Sequence, residues 1–358
     1  MEWLYLTMPI AGVQVSWPGL IVLGFGVGII GGFFGLGGGW MVTPGLNILG
    51  FPMAFAIGTD IAHMAGKSLV STMRHSRFGN VDYRLGVIMI IGTVSGFELG
   101  AQMIMWLERT GQIEVFVRLG YLILLTLIAW LVFADVSQRK RREREARAAG
   151  RAISDDVGGI QWHKTLQKVK IPPVIHFKAS GIHCSMWLPI LVGFFTGWLA
   201  GSLGIGGGII RMPSLIYLIG VPTHVAVGTD LFEVAISGLY GTGSYAYKGR
   251  TELVAAIIML VGAAIGAQLG SVATKYVRGY GIREFFGVAV VGCAVSITFK
   301  LIGSFWPEWK KVFDGAATFL ILGLIFALAG FILINFLRGA REELAMRNKQ
   351  RHGAFVQD

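Results

Sequence analysis

Residues 35–44 read GLGGGWMVTP, so that three consecutive glycines separate two apolar segments. A glycine inside a helix costs about 1 kcal/mol relative to alanine, and residues 35–39 therefore predict a break in a helix. The apolar residues 40–50 that follow are too few for a membrane-spanning helix, and Pro52 comes soon after them. This stretch predicts a helix that is broken at glycine and followed by a short half-helix.

The same pattern returns in the second half of the chain. Residues 204–213 read GIGGGIIRMP, 169 positions after the first copy, and the short apolar stretch 209–219 ends before Pro222. The sequence AIGTD at 56–60 returns as AVGTD at 226–230, and the spacing G-x-x-x-G-x-x-L-G at 92–100 returns at 262–270. Such a long-period match predicts an internal duplication into two halves rather than a solenoid array.

The composition predicts an integral membrane protein. Of 358 residues, 54% are hydrophobic and 14% are charged, and the mean hydropathy is +0.65, whereas soluble domains are about a quarter charged. The formal charge is +11. In a membrane protein, an excess of basic residues indicates first which segments face the cytoplasm, so we expect no nucleic-acid partner. Two cysteines give no disulfide framework. Residues 1–16 lack the pattern of a signal peptide and are expected to form an interfacial arm.

A helix that crosses a hydrocarbon core of ~30 Å needs about 20 apolar residues. Nine long windows have few charges: 17–35, 55–77, 85–107, 115–135, 186–204, 225–247, 253–275, 284–304 and 314–337. Together with the two short stretches, they predict an all-α membrane protein. We expect a polytopic helical bundle of two duplicated halves, with about 9–11 transmembrane segments.

The charged residues divide the chain and orient it. Residues 1–135 and 186–305 are the two predicted halves, 136–185 is a charged loop, 306–338 is an additional transmembrane helix and 339–358 is a tail. The run 139–151 and the tail are rich in basic residues, which favours a cytoplasmic location for both. If the short segments cross the membrane, each half has five crossings, the N-terminus is outside and the halves are inverted. If they re-enter instead, the tail is placed outside.

Paired halves with short, interrupted helices are typical of secondary transporters, whose substrate site lies at the repeat interface. The duplicated motifs G-x-G-G-G-x-x-x-x-P, A-[IV]-G-T and G-x-x-x-G-x-x-L-G resemble the TauE/SafE sulfite exporter family over about residues 20–135 and 190–305. The resemblance implies a permease, not an enzyme, that moves sulfite, thiosulfate, an organosulfonate or a related carboxylate across the cytoplasmic membrane. One departure is that Asp60 and Asp230 follow Gly-Thr where the family usually has serine.

The glycine clusters and the polar residues near them form the predicted substrate site. Unwound backbone exposes N–H groups, and the start of a helix adds partial positive charge, so both favour an oxyanion. The predicted substrate ligands are Gly37, Gly38, Gly39, Thr59, Gly206, Gly207, Gly208, Arg211 and Thr229. Close helix packing through small residues is the alternative explanation for the glycines, and helix capping is the alternative for the threonines.

Ionisable residues inside the apolar windows are the predicted coupling groups, namely Asp60, His63, Lys67, Asp230 and Glu233. His63 and Lys67 follow Asp60 on one helical face, and Glu233 follows Asp230 in the same register. A charge in the hydrocarbon core costs at least about 2.5–3.5 kcal/mol, so these groups are expected to be paired or functional. One interpretation is that they form structural ion pairs, Asp60 with Lys67 and Arg211 with Asp230. The other is that Lys67 and Arg211 attract the anion while a carboxyl group exchanges a proton with it.

The alternative function is a divalent metal-ion transporter or a membrane metalloprotein. Asp60, His63, Asp230 and Glu233 are residue types that bind metals, and each pair lies on one helical face. The two nearby cations would repel a metal ion, and we therefore expect neither a metal nor a cofactor. The predicted partners are a small anionic substrate and the lipid bilayer, and a homodimer is left open.

Overall fold

The computed structural model describes residues 2–34, 39–148, 166, 171–273 and 280–354. The structure is 82% helical, as expected for an all-α polytopic membrane protein. In chain order, the helices are α1 Trp17–Phe34, α2 Gly39–Ile48, α3 Met53–Arg77, α4 Tyr83–Arg109, α5 Ile113–Ala148, α6 Trp187–Leu203, α7 Gly208–Pro213, α8 Thr223–Tyr247, α9 Leu253–Ala273, α10 Tyr280–Phe305 and α11 Lys310–Ala354.

Six helices in the described part of the chain are long and apolar enough to cross a membrane. These spans are Trp17–Phe34, Tyr83–Arg109, Ile113–Gln138, Leu253–Ala273, Phe285–Phe305 and Lys310–Gly339. Helices α3 and α8 have 25 residues each but contain the predicted coupling groups, and α6 has 17 residues. The higher number of 9–11 segments stays a prediction, which requires that these helices and the short ones cross as well.

Each short half-helix lies where the glycine pattern predicts it. Helix α1 ends at Phe34 and α2 begins at Gly39, while α6 ends at Leu203 and α7 begins at Gly208. Helix α7 continues as a π-helical stretch over Ser214–Ile219. Pro52 directly precedes α3, and Pro222 directly precedes α8. A proline ends the preceding segment there. It is tolerated at the start of a helix because the first N–H groups have no partner inside the helix.

The two halves contact each other through parallel helix pairs lined with glycine. Gly24 and Gly28 of α1 lie against the backbone of Met259 and Ala263 of α9, so these helices run in the same direction. Helix α6 runs in the same direction as α4, and glycines of α6 likewise lie against the backbone of α4. Small residues allow such close approach of two backbones, so the packing explanation holds for these glycines.

Helices α3 and α8, which contain the matching sequences AIGTD and AVGTD, run in opposite directions where they meet. Ile61 of α3 lies against Gly241 of α8, and Ala65 lies against Gly238. Because the numbers rise on one helix as they fall on the other, α3 and α8 are antiparallel. Their crossing point, near Ala65 and Gly238, follows Asp60 and His63 on α3 and follows Asp230 and Glu233 on α8.

The predicted loop 136–185 and the predicted tail 339–358 both begin as helix. Helix α5 continues through the basic run to Ala148, and α11 continues to Ala354. Arginine, glutamate and alanine favour helix, and Arg141 donates a hydrogen bond from Nε to Oε1 of Glu145 over 2.9 Å, one turn away. The apolar windows predict where each apolar segment ends, but they do not predict where the helix itself ends.

A two-stranded antiparallel hairpin precedes α1 and another precedes α6. The first pairs β1 Tyr5–Thr7 with β2 Gln14–Ser16, and the second pairs β3 Val174–Phe177 with β4 Ile182–Ser185. Trp17 Nε1 donates to the carbonyl oxygen of Trp3 over 3.2 Å, and Trp187 Nε1 donates to that of Pro172 over the same distance. These strands are too short for alternation to predict them, and the first hairpin forms within the segment that is expected to be an interfacial arm.

Candidate functional site

Asp60 is fully buried between elements of both halves. Its Oδ2 accepts a hydrogen bond over 2.9 Å from the hydroxyl of Thr43 on α2. The same hydroxyl oxygen lies 3.4 Å from the carbonyl oxygen of Gly204, at the start of the second glycine cluster. A hydroxyl has a single proton, so it donates fully to one of these acceptors at a time. Asp60 is therefore sensitive to the position of α2 and of the second glycine cluster.

His63 and Lys67 lie on the same face of α3 as Asp60, as the spacing predicts. His63 Nδ1 is 3.7 Å from Asp60 Oδ1, which is close enough for an ion pair but too long for a hydrogen bond. Neither ring nitrogen of His63 has a hydrogen-bond partner among the residues that the structure describes. Lys67 is buried too. We call Thr43, Asp60, His63 and Lys67 the Asp60 cluster.

Both glycine clusters approach Met64, which follows His63 on α3. The Met64 side chain lies directly against Gly39, the first residue of α2, and against Gly206. Gly37 and Gly38 lie outside the described residues. Gly206 and Gly207 have φ of 67° and 75°, in the left-handed region that favours glycine, and Gly208 begins α7. No feature of the sequence had pointed to Met64, because an apolar residue in an apolar helix carries no signal of its own.

Arg211 is fully buried on α7 and binds two carboxylates of α8. Its Nη1 lies 3.3 Å from Asp230 Oδ1 and also forms an ion pair with Glu233 Oε2. Its Nε donates to Thr196 Oγ1 over 3.2 Å, and the hydroxyl of Ser237 donates to Glu233 Oε2 over 3.3 Å. The predicted pairing of Arg211 with Asp230 and Glu233 is therefore present. We call Thr196, Arg211, Asp230 and Glu233 the Arg211 cluster.

Thr59 and Thr229 are buried, and each precedes the aspartate of one of the matching sequences AIGTD and AVGTD. The hydroxyl of Thr59 accepts the backbone N–H of Glu252 over 3.0 Å, and that of Thr229 accepts the backbone N–H of Asp82 over 2.9 Å. Each bond fixes the start of a helix of the other half. The hydroxyl protons are not used in these bonds, so a role of either threonine as a substrate ligand stays a prediction.

Asp60 and His63 precede the crossing point on α3. Asp230 and Glu233 precede it on α8, and because the helices are antiparallel the two pairs lie on opposite sides of the crossing. Asp60 and His63 are therefore separated from Asp230 and Glu233. Within the part of the chain that the structure describes, no group of three or more His, Cys, Asp or Glu residues is placed to hold a metal ion. The four predicted metal ligands form two pairs rather than one coordination sphere.

Comparison with known proteins identifies the family. The profile described as sulfite exporter TauE/SafE matches residues 20–297. The probable membrane transporter protein YunE of Bacillus subtilis is 28% identical over 260 residues, which cover 70% of this chain and 86% of that protein. A probable membrane transporter protein of Xylella fastidiosa is 27% identical over 305 residues, which cover 84% of this chain and 97% of its own length. No solved structure matches the chain significantly.

These relatives are named as membrane transporters, and the structure has several helices that can cross a membrane. The family match extends over much more than half of the chain. This multi-pass membrane protein therefore belongs to the sulfite exporter TauE/SafE family.

Proposed function

We propose that the protein is a secondary transporter that moves a small oxyanion across the cytoplasmic membrane together with protons. The substrate class is sulfite, thiosulfate, an organosulfonate or a related carboxylate. The family and the paired short helices support transport rather than an enzymatic reaction. The antiparallel contact of α3 with α8 supports inverted halves, which would exchange roles as the site opens to either side of the membrane.

The charge balance of the two buried clusters is the observation that carries this proposal. Lys67 and Arg211 supply two positive charges, whereas Asp60, Asp230 and Glu233 supply three negative ones. With His63 neutral, the formal sum is −1, and the excess negative charge lies in the Arg211 cluster. Two like charges 4 Å apart repel by about 4 kcal/mol at an effective dielectric constant of 20. Binding of an anion to this interior therefore favours uptake of a proton.

The two clusters have different proposed roles. Arg211 is already bound to two carboxylates, so we assign proton uptake to Asp230 and Glu233. Lys67 lies next to the α3–α8 crossing, and we assign anion binding to Lys67 and to His63, which gains positive charge on protonation. Backbone N–H groups of the glycine clusters, including Gly206, would complete the anion site.

The proposed orientation follows from the basic residues. We place the 136–185 segment and the C-terminus in the cytoplasm and the N-terminus outside. With α2 and α7 counted as crossings, five elements per half satisfy this orientation.

Reconstitution into liposomes tests the proposed function. The expected result is that sulfite, thiosulfate or a related anion enters the liposomes and raises the melting temperature of the purified protein, whereas chloride at equal ionic strength does not. Zinc and manganese salts provide the metal arm of the same experiment. Transport or stabilisation by a divalent metal, with no effect of any anion, would overturn the proposal.

A further inference from the structure

A cleft lies between α2, α5 and α10, and Thr43 of the Asp60 cluster forms part of its wall. Its polar lining residues are Thr43, Asn47, Arg118, Tyr121, Ser296 and Lys300. The remaining walls are apolar and include Val117 and Ile297. The lining contains two cations and no carboxylate among the described residues, and we call it the Arg118 cleft.

The two cations of the Arg118 cleft are fixed by the protein. Arg118 Nη1 donates to the carbonyl oxygen of Lys300 over 3.3 Å and to Ser304 Oγ over 2.5 Å. Lys300 Nζ donates to Asn47 Oδ1 over 2.8 Å. Arg118 also binds Glu114, whose side chain is half exposed at the rim, while the Arg118 side chain is 11% exposed. These contacts hold both positive charges at the cleft.

Arg118 has a hydrogen-bond donor without an acceptor among the described residues. Its Nε is buried and has no hydrogen-bond partner within the part of the chain that the structure describes. A buried donor without a partner costs free energy, and a hydrogen bond donated to an anion would remove that cost. A guanidinium group also presents its donors in a plane that matches a carboxylate or a sulfur oxyanion.

The inner end of the Arg118 cleft is one hydrogen bond from Asp60. Thr43 lines the cleft, and its hydroxyl donates to Asp60 Oδ2 over 2.9 Å. Tyr121 lines the cleft beside Thr43 and donates from its hydroxyl to the carbonyl oxygen of Leu203 over 2.9 Å. One hydrogen bond through Thr43 therefore connects the lining of the cleft, which contains the two cations, to the Asp60 cluster.

We propose that the Arg118 cleft binds a small oxyanion and is the access site through which the anion reaches the Asp60 cluster. This inference rests on the proposed function. Arg118 and Lys300 attract the anion. Asn47 accepts a hydrogen bond from Lys300 in the structure, and the bound anion would replace Asn47 as the acceptor. Arg118 follows the start of α5 and Lys300 precedes the end of α10, which is the end opposite to the basic run at 139–151. The access site therefore serves the outer side of the membrane.

Transport kinetics test the access role. Arg118→Gln and Lys300→Gln are each expected to raise KM for sulfite about tenfold with maximal rate within about twofold, because they remove attraction but not the coupling groups. Arg118→Lys keeps the charge and should recover part of the affinity. Lys311→Gln, which removes an exposed lysine near the start of α11, is the matched control and should behave as wild type. An unchanged KM in both glutamine variants would overturn the proposal.

A binding measurement separates this inference from the proposed function. In phosphatidylcholine nanodiscs, sulfite should raise the melting temperature of the wild type, and Arg118→Gln should lose most of that shift while Lys311→Gln keeps it. This outcome supports the site even if the protein fails to transport sulfite. A shift caused by phosphatidylglycerol in the nanodisc, with none from sulfite, would identify a lipid headgroup as the ligand and overturn the access role.

Discussion

Thr43 on α2 donates a hydrogen bond to Oδ2 of Asp60 on α3, over 2.9 Å and in a fully buried setting. The Thr43 oxygen lies 3.4 Å from the carbonyl oxygen of Gly204, which belongs to the other half of the chain. A single hydroxyl thus connects the buried carboxylate, the first short helix and the second glycine cluster. Movement of either glycine cluster would change the hydrogen bonding of Asp60.

Thr43→Val should destabilise the protein by about 1–3 kcal/mol, because it leaves a buried carboxylate without its donor while keeping the side-chain volume. Thr43→Ser keeps the hydroxyl and should lose less than half of that amount. Reversible unfolding in mixed detergent micelles gives both free energies. Equal losses in the two variants would show that packing of the methyl group, not the hydrogen bond, is responsible.

Arg211→Met should destabilise the protein by about 3–5 kcal/mol, because Asp230 and Glu233 would remain buried without their cation. The double variant Arg211→Met with Glu233→Gln removes one of the unpaired charges and should recover part of the loss. The same unfolding measurement provides the double-mutant cycle. Additive losses would mean that Arg211 and Glu233 do not interact in the folded protein.

Local spacing was sufficient to predict much of the site. Spacings of three and seven residues predicted that Asp60, His63 and Lys67 share a face of α3, and they do. The pairing of Arg211 with Asp230 was predicted from charge scarcity in an apolar segment, since an intramembrane charge needs a partner. The positions of the two short helices followed from glycine and proline.

Contacts between distant parts of the chain were not predictable from one sequence. Arg118 and Lys300 are 182 residues apart, and the sequence around either residue does not indicate that the two are in contact. Met64 meets both glycine clusters only because α3 lies between them. The extension of α5 to Ala148 was missed because an apolar window reports where a membrane face ends, whereas helix continues through charged residues of high helix propensity.

Each hairpin is held by a carboxylate from a distant part of the chain. Glu252 Oε2 accepts the backbone N–H groups of Ile10 and Ala11 over 2.8 and 3.2 Å, between β1 and β2. Asp82 Oδ2 accepts from the backbone N–H and the hydroxyl of Ser180 over 3.1 and 2.7 Å, between β3 and β4. These two contacts make the hairpins independent probes of the two ends of the bundle.

Glu252→Ala should speed backbone hydrogen exchange in residues 5–16 by about tenfold or more, because loss of a charged hydrogen-bond acceptor costs about 1.5–3 kcal/mol. Asp82→Ala should do the same in residues 174–185. Mass spectrometry of exchanged peptides reads both hairpins in each variant, so that each variant is the control for the other. Faster exchange in both hairpins of either variant would indicate general loosening rather than loss of a specific anchor.

Gly197→Ala should destabilise the protein by about 1–3 kcal/mol, because the added methyl group would overlap the backbone of Thr93 where α6 meets α4. Gly243→Ala is the matched control, since a methyl group at Gly243 on α8 meets no described atom within 4 Å. That variant should be neutral or gain up to about 1 kcal/mol from helix propensity. A neutral Gly197→Ala in the unfolding measurement would contradict the close parallel packing.

Sulfite uptake into proteoliposomes under an imposed pH gradient tests proton coupling most directly. Wild type should take up sulfite several-fold faster when the outside is acidic. Glu98→Gln should respond equally, because Glu98 pairs with Lys248 outside the Arg211 cluster. Asp230→Asn and Glu233→Gln should lose the response to the gradient while sulfite counterflow at equal pH continues. An unaltered response in both of these variants, or wild-type uptake that ignores the gradient, would contradict proton-coupled anion transport through the Arg211 cluster.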